Sequence, residues 1–98
     1  MWVLMLQPGE DARLETVGSD PAGFEALLGG PAEIRPLTGG IQLVLCRDGR
    51  GLRPNRVIGG ERVCGVCFLC GASLHGLTDF PRELAEEYRR KMNRSRLC

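Results

Sequence analysis

Ninety-eight residues, 43% of them hydrophobic and 26% charged, describe one soluble globular domain over residues 1–98, because a chain this short cannot supply two cores. Its longest apolar runs, Met1 to Leu6 and Ile41 to Cys46, fall far below the roughly 20 residues of a membrane helix, and its first residues lack the basic region, apolar stretch and cleavage site of a secretory signal. No membrane contact and a cytoplasmic location are therefore expected. The net charge of +1 hides an asymmetry: residues 1 to 45 carry two basic and six acidic side chains, residues 46 to 98 eleven basic and six acidic, and twelve of the thirteen cations are arginine.

Met1 to Leu6 reads as a strand, and Gln7-Pro8-Gly9-Glu10-Asp11 is turn chemistry leading into a second, more polar strand from Ala12 to Val17. Ser19-Asp20-Pro21 supplies a helix start, a capping oxygen followed by proline in the first turn, and Phe24, Leu27 and Leu28 then share one helical face. Gly29-Gly30 ends that helix through the left-handed conformation that glycine tolerates. Glu33 to Leu37 and Ile41 to Cys46 flank Thr38-Gly39-Gly40, a loop of hairpin length. Within the second strand Ile41, Leu43 and Leu45 share the face expected to enter the core.

Asp48-Gly49 marks a further turn, and Arg50 to Gly60, rich in glycine, arginine and proline and without either period, reads as an ordered surface loop. Val63 to Cys70 is the most continuously apolar segment and predicts a central strand buried on both faces. From Thr78 the period becomes helical, with Phe80, Leu84, Tyr88 and Met92 on one face and Pro81 in the first turn. Glu83, Glu86 and Glu87 precede Arg89, Arg90, Lys91 and Arg94, which suits the helix dipole. The elements add up to an α+β domain: a mostly antiparallel sheet of about five strands with two helices against it, the C-terminal one the longer. Ile41, Leu43, Leu45, Val63, Leu84 and Tyr88 are the expected core.

Gly29-Gly30, Ile34, Leu37, Ile41-Gln42-Leu43-Val44, Asp48-Gly49, Pro54-Asn55-Arg56 and Cys64-Gly65 fall in an order that resembles the domain of unknown function 3846 family, small stand-alone proteins of phages and conjugative elements of Gram-positive bacteria. Gln7-Pro8-Gly9 and Leu77-Thr78-Asp79 extend the likeness over nearly the whole chain. The resemblance implies a strand at the cysteine segment, a bacterial host cytoplasm and mobile-element cargo. It implies no activity.

Three constellations could carry chemistry. Cys64, Cys67 and Cys70 form two overlapping C-x-x-C steps, and with His75 or Cys98 they would complete a tetrahedral zinc site. Against zinc stands geometry: three strand residues span about 10 Å and alternate between faces, whereas thiolates sharing one ion lie about 2.3 Å from it. Strand and zinc knuckle therefore exclude each other, and the reading preferred is buried, inert cysteine with no metal or other cofactor. Five cysteines, an odd number, in a reducing compartment do not predict a disulfide framework.

Arg50, Arg53 and Arg56 recur every third residue in a glycine-containing loop and form the expected partner-binding site, suited to phosphate or an acidic surface. Asn55 after Pro54 is read as a turn residue bonding nearby backbone. Arg89, Arg90, Lys91, Arg94 and Arg96 make a basic tail that could hold nucleic acid, although no aromatic residue is interleaved for stacking.

No G-x-S-x-G, H-E-x-x-H, phosphate-binding glycine loop or placed carboxylate pair is present, so no catalytic residue is assigned and an enzyme is not expected. The expected function is that of a non-enzymatic accessory protein of a phage or mobile element that binds a macromolecule of the host or the element, a protein in preference to nucleic acid. An inhibitor of restriction or CRISPR defence is one member of that class. The alternatives are a small zinc-stabilised module built on the Cys64, Cys67 and Cys70 cluster, and a nucleic-acid-binding domain using the arginine loop and tail.

Overall fold

Trp2–Leu6 (β1) and Arg13–Thr16 (β2) form the expected antiparallel hairpin in the computed structural model, which describes residues 1–97. Asp20 then caps the helix Pro21–Leu28 (α1), its side chain accepting from the Gly23 amide at 2.6 Å. Gly29, at φ +85° and with its N–H on the Glu25 carbonyl, ends that helix as the Gly-Gly pair predicts. Ala32–Pro36 (β3) and Gln42–Cys46 (β4) pair antiparallel across a short 3₁₀ turn at Thr38–Gly40.

The main sheet runs β2-β1-β7-β4-β3, where β7 is Cys67–Ser73, and Gly76–Thr78 (β8) pairs with the far end of β7. Every pairing is antiparallel. β7 occupies the centre because Cys67-Phe68-Leu69-Cys70 is apolar at both odd and even positions, and only a strand covered on both faces can bury all four.

The two faces have different covers. Leu4, Leu6, Leu43, Leu45, Cys67 and Leu69 lie on one face with Phe80 and Met92 of the C-terminal segment and Ile58 and Val63 of a separate two-stranded ladder. That ladder consists of Pro54–Ile58 (β5) and Glu61–Cys64 (β6), and the C-terminal helix is Ala85–Arg94 (α2), entered through a 3₁₀ turn at Arg82–Leu84. Val3, Met5, Val44, Phe68 and Cys70 lie on the opposite face beneath Phe24 and Leu28 of α1. Phe24 meets Phe68 edge-to-face with ring centroids 5.4 Å apart, and Phe80 meets Tyr88 likewise at 5.6 Å.

The α+β class, the antiparallel sheet and the longer C-terminal helix all agree with the sequence. Ile41, Leu43, Leu45 and Val63 are buried as expected, while Leu84 and Tyr88 are only half-buried at the rim.

Three local expectations need correction. Residues 54 to 58 are a strand, not a surface loop, and Asn55 and Arg56 are fully buried. Val63 to Cys70 is not one strand: Gly65, at φ +79°, turns the chain between β6 and β7. That positive φ is what calls for glycine here. Thr78 belongs to β8 rather than to a helix start, because its stretch pairs with Gly71–Ser73 before the chain turns into α2. Among the described residues no helix is long and apolar enough to cross a membrane.

Candidate functional site

The β4–β5 loop, Arg47 to Arg53, runs over the surface and returns against β6. Its residues line a small cleft of about 140 Å³ with Arg35 of β3 and Glu61, Arg62 and Cys64 of β6. Four arginines therefore line one opening: Arg35, Arg47, Arg50 and Arg62. They arrive from three separate segments, brought together because the β5–β6 hairpin folds back beside β3 and β4.

Arg35 is occupied. It donates to Glu33 of its own strand and to Glu61 across the cleft, and its pKa is raised above the usual value first by the hydrogen bond with Glu33. Arg47, Arg50 and Arg62 are exposed and, among the described residues, make no ion pair. Three unpaired cations beside a compact anion–cation–anion group leave an excess of positive charge on this face. In the partly enclosed cleft that charge is screened less than on a flat surface.

The three arginines expected to act together are separated by the structure. Arg50 lines the cleft. Arg53 is exposed but lies against the β1–β2 turn, where a Cβ on Gly9 would sit 2.7 Å from its Nη2. Arg56 is fully buried and cannot itself touch a partner, which corrects its assignment to an exposed arginine site.

Arg56 instead joins three parts of the chain. Its Nε donates to the Met92 carbonyl at 2.9 Å and its Nη1 to the Gln7 carbonyl at 3.2 Å and to Asn55 Oδ1, while Nη2 donates to the Glu10 carbonyl. Met92 lies in the last turn of α2, so Arg56 places a cation at the negative end of that helix and satisfies one of its terminal carbonyls. Burial pushes the Arg56 pKa down from its ordinary value, yet a guanidinium in a folded protein stays charged.

Asn55 also bonds backbone, but not that of a local turn. Its Nδ2 donates to Leu6 O at 2.9 Å and Gly65 O at 2.8 Å, linking β1 to the β6–β7 turn.

The cysteines are distributed rather than gathered. Cys67 lies on the face that carries Leu69, and Cys70 on the face that carries Phe68, so these two thiols cannot share an ion. Burial pushes the Cys67 thiol up to about 12 and the Cys70 thiol up to about 11, which keeps both protonated and poorly nucleophilic near neutrality. Cys64 is half-buried at the arginine cleft, His75 is exposed in the β7–β8 turn, and Cys98 lies outside the described residues. Among the described residues no three metal-ligating side chains converge.

The basic tail is partly neutralised where it stands. Arg89 and Arg90 both reach Glu86, at 2.8 and 3.3 Å, and Arg96 pairs with Asp11. Residues beyond α2 also join the fold, since Val57 N donates to Ser95 O at 3.1 Å and Leu97 N to Asn55 O at 3.0 Å. A second concavity, mostly apolar and of about 670 Å³, lies where Tyr88 and Lys91 of α2 face the β3–β4 and β5–β6 turns.

Arg47 and Arg62 were not singled out by the sequence. Arg47 continues the every-third-residue spacing of Arg50 and Arg53, whereas no local pattern marks Arg62, which the β5–β6 hairpin brings to the cleft.

A family model described as Domain of unknown function (DUF3846) matches residues 1–93 of the chain. No curated protein and no solved structure matches.

Proposed function

The chain belongs to the DUF3846 family, and from that premise we propose that it is a non-enzymatic accessory protein that binds a macromolecule through the arginine face around Arg47, Arg50 and Arg62. The occupant is an acidic surface of a protein. The context that the sequence resemblance implies, cargo of a phage or other mobile element in a bacterial cytoplasm, makes an inhibitor of host defence one form of this function.

A single observation carries the reading: three exposed arginines, two from the β4–β5 loop and one from β6, line one cleft without an ion pair among the described residues. Like charges gathered on a surface repel one another, and an anionic occupant relieves that repulsion. Planar guanidinium forks suit carboxylate and phosphate groups. A binding role also fits the thiols, which burial holds protonated. A protein is preferred to nucleic acid because the basic tail, which could extend a positive track along a phosphate backbone, is partly neutralised by Glu86 and Asp11 and carries no interleaved aromatic residue for base stacking.

The test is affinity capture from host lysate with wild type and with Arg47→Gln/Arg50→Gln/Arg62→Gln, each checked for an unchanged melting temperature. A partner retained by the wild type and lost by the variant, with association slowed by added salt, is the expected result. Equal retention by both proteins would move the binding face elsewhere. Capture that disappears on nuclease treatment would replace the protein occupant by nucleic acid.

A further inference from the structure

The arginine cleft has a size and charge that define its occupant more narrowly than an acidic surface. Its volume of about 140 Å³ is well below the roughly 300–1,000 Å³ of pockets that enclose drug-sized ligands, so it admits one small polar group and not a base or a sugar ring. Arg47, Arg50 and Arg62 bring three positive charges to it. The Glu33–Arg35–Glu61 group, one cation held between two anions, offsets only one of them.

A single carboxylate brings one negative charge and two oxygens, too little to satisfy three forks. A phosphomonoester carries about −1.5 to −2 at neutral pH and three strong acceptor oxygens, one for each of Arg47, Arg50 and Arg62. Gly49 also lines the cleft, and a Cβ there would lie 3.1 Å from Cys64 O. Glycine there keeps the loop close against β6, which holds Arg47 and Arg50 of that loop along the same cleft as Arg62. We propose that this cleft is a binding site for one phosphate-class oxyanion, the terminal phosphoryl group of a phosphorylated ligand. This deepens the reading of the arginine face as the binding surface and rests on it.

Glu61 sets the selectivity of the site. Its carboxylate stands at the cleft edge, bonded to Arg35, and repels an anion that enters without enough of its own contacts. Chloride, with no directional acceptors, gains least from the three forks, whereas a phosphoryl group accepts from all of them.

The experiment is an amide NMR titration of the full chain with inorganic phosphate at constant ionic strength, sodium chloride making up the balance, and a parallel arm with a short, otherwise neutral peptide containing one phosphoserine. Saturable shifts confined to Arg47, Gly49, Arg50, Arg62 and their neighbours are expected in at least one arm. Tighter binding of the peptide identifies the source as a phosphorylated side chain, and equal binding identifies the free anion as sufficient.

Arg50→Gln/Arg62→Gln should raise the dissociation constant by at least about tenfold, the loss expected when charge-assisted hydrogen bonds from two forks are removed, with an unchanged melting temperature. Glu61→Gln should tighten phosphate binding, a response that plain loss of folding would not produce. Shifts that stay linear in both arms, or that chloride reproduces, overturn the site. Lysate capture that is lost in the arginine variants while phosphate fails to saturate would remove this inference alone. Saturable phosphate binding with no partner captured would remove only the protein-binding reading.

Discussion

Asn55 and Arg56 are consecutive residues of one strand, yet both are fully buried and hydrogen-bonded to each other, Arg56 Nη1 donating to Asn55 Oδ1. In a regular strand neighbours point to opposite faces. Here the register slips between Pro54 and Arg56: Pro54 opposes Cys64 while Arg56 opposes Val63, so β5 carries one residue more than its partner. That bulge turns both side chains inward. Between them they reach the end of β1, the β1–β2 turn, the β6–β7 turn and the last turn of α2.

This pair should be a main determinant of stability. Arg56→Lys keeps the charge, but an ammonium on a flexible stem cannot supply the fork that serves the Met92, Gln7 and Glu10 carbonyls together. Leaving the buried Met92 carbonyl unpaired costs about 1–3 kcal/mol, and the part-buried Gln7 and Glu10 carbonyls add to it, so a fall in melting temperature of roughly 10 °C is expected. Asn55→Leu should be as damaging, because it strips donors from Leu6 O and Gly65 O and leaves Arg56 with one acceptor fewer. Thermal unfolding of either variant within a degree or two of wild type would show the network to be dispensable.

The core should respond in proportion to burial. Leu43, 1% exposed at the centre of the β3–β4–β7 ladder, should cost about 2–5 kcal/mol on change to alanine. Leu84 faces the same core but is half-buried in the turn before α2, and Leu84→Ala should cost roughly half as much, since less apolar area leaves water when it packs. Chemical denaturation that ranks Leu84 above Leu43 would contradict this layering.

Most of the layering was legible because it follows from local rules. Asp20 and Gly29 bound α1 by capping chemistry, and the alternation of Ile41, Leu43 and Leu45 places them on one face. Phe80, Leu84, Tyr88 and Met92 likewise read as one helical stripe, and all four meet that core. Where the reading failed, the cause was non-local. The arginines at 50, 53 and 56 share a spacing in the sequence, but a bulge buries Arg56, the β1–β2 turn draws Arg53 aside, and only Arg50 reaches the cleft. Nothing in composition marks an arginine for burial, since its acceptors are carbonyls 36 to 49 residues away in the chain.

Alkaline conditions should expose the cost of the buried thiols. The folded state holds the Cys67 and Cys70 thiols up at about 12 and 11 against an ordinary value of 9.0. Above pH 9 the unfolded chain therefore loses protons that the folded chain retains, and stability falls as pH rises, by up to about 1.4 kcal/mol per pH unit for each thiol. The loss begins near pH 9 and for Cys70 ends near 11. Cys67→Ala/Cys70→Ala should be less stable at pH 7 but show a shallower decline between pH 9 and 10.5. Parallel declines measured by denaturant unfolding would assign the alkaline loss to other groups.

The same thiols bear on metal dependence. Cys67 and Cys70 stand on opposite faces of β7 and Gly65 separates them from Cys64, so a zinc ion joining the three would have to dismantle the central strand. Elemental analysis should find no stoichiometric metal, and EDTA should leave the melting temperature unchanged. One zinc per chain, with unfolding on chelation, would require a different fold for residues 64 to 70, because metal binding and folding would then be coupled.

The arginine face can be separated from the arginine core by a pair of variants. Arg50→Ala/Arg53→Ala removes two exposed cations, and exposed charges contribute little to stability, so the melting temperature should stay within about one or two degrees of wild type. Adding Arg56→Ala to that variant should lower the melting temperature sharply, because the third arginine closes the carbonyls of Gln7, Glu10 and Met92. Partner association should already be slowed in the double variant, with a shallower dependence on salt, and the third substitution should reduce the folded fraction without further change in the salt slope of the molecules that remain folded. If the double variant unfolds as readily as the triple, the loop arginines are part of the scaffold and not of a binding surface.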